Sequence, residues 1–224
     1  MSHGVVGQVG LGVHDPVRVA AFFDAVLGRS SWGRAPRVRL TDGTERHGVR
    51  LGFCVSDLRA AAATTRDLGG VSGEPADGSV ACADDQGVPF TLRVEAPAAP
   101  PGGHGDVAYF TIGVPDLARA RAFYGTLFGW TFTELPGGIG AAIAGVLPGG
   151  ALWRSEIPGC VLTFRVDDVR ATVRAVLACG GTAGGFQQRP YGIASDNCTD
   201  GRGTRFHLLQ FAHSSSSSSS TEAR

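Results

Sequence analysis

Apolar and polar residues alternate in four short stretches of the chain, and each stretch ends in an aspartate. The clearest covers residues 109–116, where one set of alternate positions is apolar: Phe110, Ile112 and Val114. Alternation with a period of two is typical of a strand that has one face against a core. The other stretches end at Asp15, Asp57 and Asp168. The sequence therefore predicts four equivalent strands, each with one apolar face and one polar or small face.

A predicted helix follows each aspartate and stops at a glycine, at Gly28, Gly69, Gly129 and Gly180. An aspartate in this position accepts hydrogen bonds from the first turn of the helix, and a glycine allows the left-handed residue that ends it. Phe123 and Leu127 illustrate the helical spacing of the apolar residues. We therefore expect each helix to cover the apolar face of its own strand. The spacings from aspartate to glycine alternate between 13 and 12 residues, which indicates two unlike units used twice.

This repetition divides the chain into two predicted domains, residues 4–96 and 106–212. A linker rich in proline and glycine, residues 97–105, joins them. Each domain contains two of the β–α units, and the first unit of the first domain is shortened. Residues 213–224 contain an unbroken run of serines and predict a disordered tail.

Bulk composition narrows the possible partners. The chain has 20 basic and 20 acidic residues, so neither nucleic acid nor an anionic membrane is an expected partner. All basic residues are arginine, and the absence of lysine excludes Schiff-base chemistry. The sequence shows no secretory leader and no apolar run of about 18 residues. We therefore predict a cytoplasmic protein without a membrane span.

The five cysteines form no Cys-x-x-Cys pair. Their odd number and irregular spacing argue against a disulfide framework and against a structural zinc site. Cys54 alone falls on the polar face of a predicted strand. No histidine is placed beside it by the pattern, so we interpret it as a buried thiol.

Three segments carry a family resemblance. Residues 122–130 read Ala-Phe-Tyr-Gly-Thr-Leu-Phe-Gly-Trp, and residues 84–92 and 200–208 each contain a turn that runs into an apolar strand. These segments resemble the vicinal oxygen chelate superfamily, which includes glyoxalases, bleomycin-resistance proteins and extradiol dioxygenases. The resemblance implies an α+β fold of four βαβββ modules that form two half-barrel domains. Each half-barrel is then a cup lined by the polar strand faces, although a simply solvated sheet face remains the alternative.

Enzymes of this superfamily commonly hold one divalent metal ion at the floor of the cup. Carried over by position, the ligand sites fall on Gln8, Arg50 and Thr91 in the first domain, and on Tyr109, Val161 and His207 in the second. Arginine and valine do not ligate metals, so neither domain has three ligands. We therefore predict no metal ion and no cofactor. His207 is open to three interpretations: a hydrogen-bond donor to a ligand, an acid or base, or a structural residue.

A cup of this shape without a metal ion favours binding of a flat apolar molecule. Metal-free members of the superfamily include antibiotic-binding resistance proteins, and the tandem form resembles accessory proteins of antibiotic clusters, including anthracycline clusters. The leading hypothesis is an aromatic drug-like ligand, bound by a monomer or homodimer. The predicted ligand-binding residues are Gln8, Arg50, Trp32, Tyr109, Thr111, Trp130, Phe132, Trp153, Thr163, Arg165, Tyr191 and His207.

Two other functions remain open at this stage. One is an enzyme, either metal-dependent or cofactor-free, that acts on an aromatic polyketide-like metabolite by oxygenation, isomerisation or hydrolysis. Its candidate catalytic residues are His207 and Tyr109. The other is a scaffold whose cups bind nothing, although glycines such as Gly10 and Gly52 on the cup face favour a real space there.

Overall fold

A computed structural model describes residues 4–28, 37–42, 48–94 and 102–212. This part of the chain forms two mixed β-sheets. The first contains β1 (Val6–Val13), β2 (Arg37–Asp42), β3 (Gly48–Cys54), β4 (Val71–Ser72), β5 (Ser79–Ala83) and β6 (Pro89–Arg93). The second contains β7 (Val107–Val114), β8 (Phe132–Glu134), β9 (Gly140–Ile143), β10 (Gly149–Arg154), β11 (Gly159–Arg165), β12 (Phe186–Arg189), β13 (Gly192–Thr199) and β14 (Arg205–Phe211).

The helices begin and end where the sequence predicts. They are α1 (Pro16–Leu27), α2 (Leu58–Asp67), α3 (Leu117–Phe128) and α4 (Val169–Ala178). Each preceding aspartate accepts hydrogen bonds of 2.9 to 3.1 Å from backbone N–H groups of the first turn. The four predicted glycines have φ between 70° and 85°, which the absence of a Cβ makes accessible.

In each sheet the two strands that precede helices lie side by side and antiparallel, β1 with β3 and β7 with β11. The strand orders are β2-β1-β3-β6-β5-β4 and β12-β13-β14-β11-β7-β10-β9-β8. The two β–α units of each half of the chain therefore share one sheet. The predicted α+β class with two half-barrel sheets is confirmed.

The apolar faces of the two sheets meet in a common core. Phe53 of β3 lies 6.4 Å from Phe110 of β7 and 4.7 Å from Phe128 of α3, measured between ring centroids. On the other side, Phe23 of α1 lies 5.3 to 5.4 Å from Phe164 and Phe206 of the second sheet. Helices α1 and α3 therefore contact the opposite sheet. The expected contact of each helix with its own strand does not include these contacts, in which aromatic side chains of α1 and α3 reach across the core.

The turns before β6 and β14 have the same internal hydrogen bonds. Asp84 Oδ1 accepts the N–H groups of residues 86 and 88, and Asp200 Oδ1 accepts those of residues 202 and 204. The other carboxylate oxygens differ. Asp84 Oδ2 accepts a hydrogen bond of 2.9 Å from the hydroxyl of Tyr124, whereas the buried Oδ2 of Asp200 has no partner in the described part of the chain.

The turn at residues 84–88 is also tied to the start of α3. The side-chain amide of Gln86 donates to the carbonyl of Asp116 and accepts from its N–H, at 2.9 and 2.7 Å. Arg119 pairs with the carboxylate of Asp85 at 2.8 Å. The first sheet is thereby fixed to the helix that follows β7.

The second sheet has β12 at one edge. Residues 187–189 belong to the edge strand β12, because Gln187 and Gln188 pair with Ala194 and Ile193. No helix of the described ranges is both long and apolar enough to span a membrane.

Candidate functional site

One row of residues crosses the concave face of the second sheet. Tyr109 pairs with Gly149 on one side and with Thr163 on the other, and Thr163 pairs with His207. Neighbouring strands lie about 4.8 Å apart, so the backbones of Tyr109 and His207 are about 10 Å apart. A side chain at Gly149 would lie 2.9 Å from the ring of Tyr109. This glycine therefore keeps the space beside the tyrosine open.

The row borders an open cavity of about 2240 Å³. Trp153 and Tyr191 stand at its rim, with 41% and 55% of their surface exposed. The cavity also reaches past the sheet to the first turns of α1, where Arg18 lines it. Its volume exceeds that of a typical drug-sized site, about 300–1,000 Å³, so a ligand here would fill only part of it.

His207 is held by a polar network on β13. Its Nδ1 lies 3.1 Å from Asp196 Oδ1 and 3.2 Å from the backbone nitrogen of Asn197, so it donates to the carboxylate when it carries a proton and accepts from the N–H when it does not. Arg189 donates to the other oxygen of Asp196 at 2.7 Å. Both contacts of the imidazole use Nδ1, and among the described residues Nε2 has no hydrogen-bond partner. The ring is therefore oriented from one side while it lines the cavity.

Asp196 and Tyr109, which both line the cavity, have shifted pKa values. The hydrogen bond with His207 and the contact with Arg189 outweigh partial burial and lower the pKa of the Asp196 carboxyl below its ordinary value. Burial raises the pKa of Tyr109 to about 12, and the neighbouring Tyr191 adds to the shift. At neutral pH the cavity therefore offers a phenol that can donate a hydrogen bond and a carboxylate that is charged.

Six predicted site residues share the cavity wall: Tyr109, Thr111, Trp153, Thr163, Tyr191 and His207. Arg165 lies on the same strand as Thr163. Its guanidinium stands 5.3 Å from the ring centroid of Phe211, which also lines the cavity. Arg165 thus supports an aromatic wall residue.

The other predicted residues lie elsewhere. Trp130, predicted at the cup, is 6% exposed and stacks on Tyr124 in the core, at 5.4 Å between ring centroids. Phe132 also packs against the core. In the pairing of β8 with β9, Thr133 is opposite the cavity residue Ala142, so the adjacent Phe132 faces away. Neither aromatic ring lines the cavity.

The residues predicted from the first half do not join this cavity. Gln8 and Arg50 lie on the concave face of the first sheet, on β1 and β3. Trp32 lies outside the described residues. The single set of ligand-binding residues predicted from the sequence is therefore divided between two sheets.

Asp196 was not among the predicted residues. It lies at an irregularity between Ser195 and Cys198, where the pairing of β13 with β14 shifts register. Asn197 within it has φ of 55°. Asparagine tolerates this left-handed conformation better than most residues, and this was the only signal in the sequence. The irregularity places the carboxylate beside His207.

The family-type metal positions do not form a ligand set. In the second sheet Tyr109 is a neutral phenol and Val161 has no donor atom, so His207, through its Nε2, is the one ordinary metal ligand among the three positions. In the first sheet the positions are Gln8, Arg50 and Thr91. No group of three His, Cys, Asp or Glu residues within the described ranges is arranged to hold a metal ion. These residues do not fit the metal site of the superfamily.

The network around Asp196 predicts a pH-dependent stability difference. Its pKa is lowered in the folded state, so its contribution is present above the unfolded-state pKa of about 4 and is lost as pH falls through the folded-state value. We expect Asp196→Asn to lower the melting temperature by more at pH 7 than at pH 3. Thermal unfolding of both proteins at both pH values measures this. The exposed Asp67→Asn variant is the control, and a difference of equal size at pH 3 would contradict the prediction.

Comparison with known proteins supports the fold. Residues 107–142 match the family model described as bleomycin resistance protein-like N-terminal. No curated protein matches the sequence. Among solved structures, the 2,3-dioxygenase LapB from Pseudomonas sp. KL28 is 16% identical with a TM-score of 0.65, covering 95% of this chain and 94% of its own.

Two further structures extend the comparison. The Mn(II)-bound glyoxalase from Novosphingobium aromaticivorans is 13% identical with a TM-score of 0.70, and the match covers 94% of this chain and 83% of that one. Homoprotocatechuate 2,3-dioxygenase from Arthrobacter globiformis is 16% identical with a TM-score of 0.64, covering 94% and 80%. At these identities the likeness concerns the fold. The resemblance inferred from the sequence is confirmed: the chain has the fold of the vicinal oxygen chelate superfamily.

Proposed function

We propose that this protein binds a planar aromatic small molecule on the concave face of the second sheet without a metal ion. The observation that carries the proposal is the row of Tyr109, Thr163 and His207, with Trp153 on the same face and no metal-ligand set among the family positions. Aromatic walls with a few polar groups are typical of small-molecule sites. Sequestration of an antibiotic-like metabolite, or an accessory role in its biosynthesis, is the biological setting we infer.

Aromatic and polar side chains of the cavity contribute to binding in different ways. Trp153 and Tyr191 at the rim offer ring faces, and aromatic pairs contribute about 0.5–1.5 kcal/mol beyond their buried area. The hydroxyl of Tyr109 remains protonated because burial raises its pKa to about 12, so it donates to a carbonyl or hydroxyl of the ligand. Micromolar affinity corresponds to about 8 kcal/mol, which burial of one polycyclic ligand supplies.

Calorimetric titration of the unmodified protein and of the Trp153→Ala variant with aromatic compounds tests this function. With a panel of polycyclic aromatic compounds, including anthracyclines, we expect saturable binding to the unmodified protein by isothermal titration calorimetry. We expect at least a tenfold loss of affinity in Trp153→Ala, because an aromatic wall is removed. Phe186→Ala is the matched control, since Phe186 is 40% exposed on β12 and does not line the cavity. Absence of saturable binding, or equal losses in both variants, overturns the proposal.

The contact between His207 and Asp196 favours a second candidate, an enzyme that moves a proton on the same ligand. When the neutral ring carries its proton on Nδ1 and donates it to the Asp196 carboxylate, Nε2 has a free lone pair and can accept a proton from a bound hydroxyl or C–H group. Analysis of each titrated compound by liquid chromatography and mass spectrometry distinguishes the two. Products that disappear in the double variant His207→Ala with Tyr109→Phe support the enzyme, and unchanged compounds support a binding protein.

A further inference from the structure

The concave face of the first sheet has a different chemistry from that of the second. In its strand register, Gly10 of β1 lies between Arg39 of β2 and Arg50 of β3. The neighbouring row joins Gln8, Gly52 and Thr91 across β1, β3 and β6. Two arginines therefore stand on either side of a glycine, beside a row of small and polar residues.

A third arginine reaches the same place from β6. The Cδ of Arg93 lies 3.5 Å from the position that a Cβ would take at Gly52, so this side chain runs over the glycine. The Cβ of Arg50 lies 3.7 Å from the corresponding position at Gly10. The two glycines form a floor, and the three arginine side chains surround it.

The strands around this floor carry one acidic residue, Asp42, which ends β2 opposite Val13, three positions beyond the pair of Arg39 with Gly10. The other strand residues of this part, 6–13, 37–41, 48–54, 79–83 and 89–93, include no aspartate or glutamate. Arg39 is exposed and forms no ion pair within the described ranges. Arg50 and Arg93 make interactions of their own within the protein, but a guanidinium has five N–H donors and can bind a ligand at the same time. Three arginine side chains are therefore concentrated on one face of a chain with a net charge of zero.

We propose that this face is a second binding site, which takes the carboxylate or phosphate group of a small organic acid. Guanidinium groups bind both anions through paired hydrogen bonds. The Thr91 hydroxyl and the Gln8 amide are further donors on the neighbouring row. Gly10 leaves room for the anion to approach the strands, because the atom nearest to the position of a Cβ there, the backbone oxygen of Arg50, lies 3.6 Å away. This site is separate from the aromatic cavity.

Calorimetric titration of the full chain at low ionic strength tests this site, with inorganic phosphate and benzoate as probes. We expect saturable binding of at least one probe, with affinity reduced at least tenfold in Arg39→Gln and reduced by added salt. Gly10→Val, which fills the floor, should also weaken binding. Binding of both probes identifies a general anion site, and binding of one identifies phosphate or carboxylate as the preferred group.

Two controls decide the result. Arg59→Gln removes an exposed arginine from α2, outside this face, and should leave binding unchanged. Trp153→Ala should also leave it unchanged, so that the anion site succeeds or fails independently of the aromatic cavity. If neither probe saturates the protein, or if Arg59→Gln weakens binding as much as Arg39→Gln, the proposal is overturned. Arg39 is exposed, so its substitution tests the site even if Gly10→Val fails to fold.

Discussion

Replacement of Phe53 by alanine should lower the free energy of unfolding by about 4 kcal/mol. Phe53 has no exposed surface, and its ring lies within 6.4 Å of four other aromatic rings. These rings come from both sheets and from the α3 region: Phe90, Phe110, Phe128 and Trp130. The substitution removes apolar contacts and leaves a cavity that a packed interior closes only in part.

Urea denaturation followed by circular dichroism measures this effect. Phe53→Leu keeps most of the buried volume and should cost less than half as much as Phe53→Ala. Leu177→Ala, at a position that is 55% exposed on α4, should change stability little. A loss below about 1 kcal/mol for Phe53→Ala would contradict the role of this ring between the two sheets.

Substitution of Tyr124 by phenylalanine should cost about 2 kcal/mol, because it leaves the buried Oδ2 of Asp84 without its hydrogen-bond donor. The cost is high because burial raises the pKa of Asp84 and makes the carboxylate depend on the donors around it. Asp200 already lacks such a donor. Counted from the aspartate that caps its helix, Phe23 holds the position in α1 that Tyr124 holds in α3.

The reverse substitution provides a matched test. We expect Phe23→Tyr to raise the free energy of unfolding by about 1 kcal/mol, because the new hydroxyl can donate to Asp200 Oδ2. The combination with Asp200→Asn should remove this gain. Chemical denaturation of the two single variants and the combination measures both effects. The explanation fails if Phe23→Tyr stabilises the protein equally with and without the Asp200 carboxylate.

Local signals in the sequence predicted most of the fold. Apolar alternation, capping aspartates and terminal glycines act within about fifteen residues, and so each β–α unit can be recognised by itself. The two concave surfaces were expected from the resemblance to the vicinal oxygen chelate superfamily, since alternation alone also fits a simply solvated sheet face. The neighbouring positions of Tyr109, Thr163 and His207 depend on the register between three strands, which the repeated pattern makes regular.

The rest of the site depends on features that a local pattern does not contain. Trp130 follows Gly129, whose left-handed conformation ends α3 and leads the indole into the core. Phe132 is next to Thr133, which is opposite the cavity residue Ala142. Because adjacent residues of a strand point to opposite faces, a shift of one residue would have placed Phe132 at the cavity. Asp196 reaches His207 through an interruption of the β13–β14 ladder. Such interruptions are set by contacts between strands, so sequence alternation alone does not reveal them.

The crossed positions of α1 and α3 have a consequence for cooperativity. Phe23 of α1 completes the core against the second sheet, and Phe128 of α3 does so against the first. Each sheet therefore loses part of its core when the other half unfolds. The two sheets should melt in one transition, as a single thermodynamic unit. A substitution that enlarges either concave face therefore lowers the stability of both sheets, which limits how far the two faces can change independently.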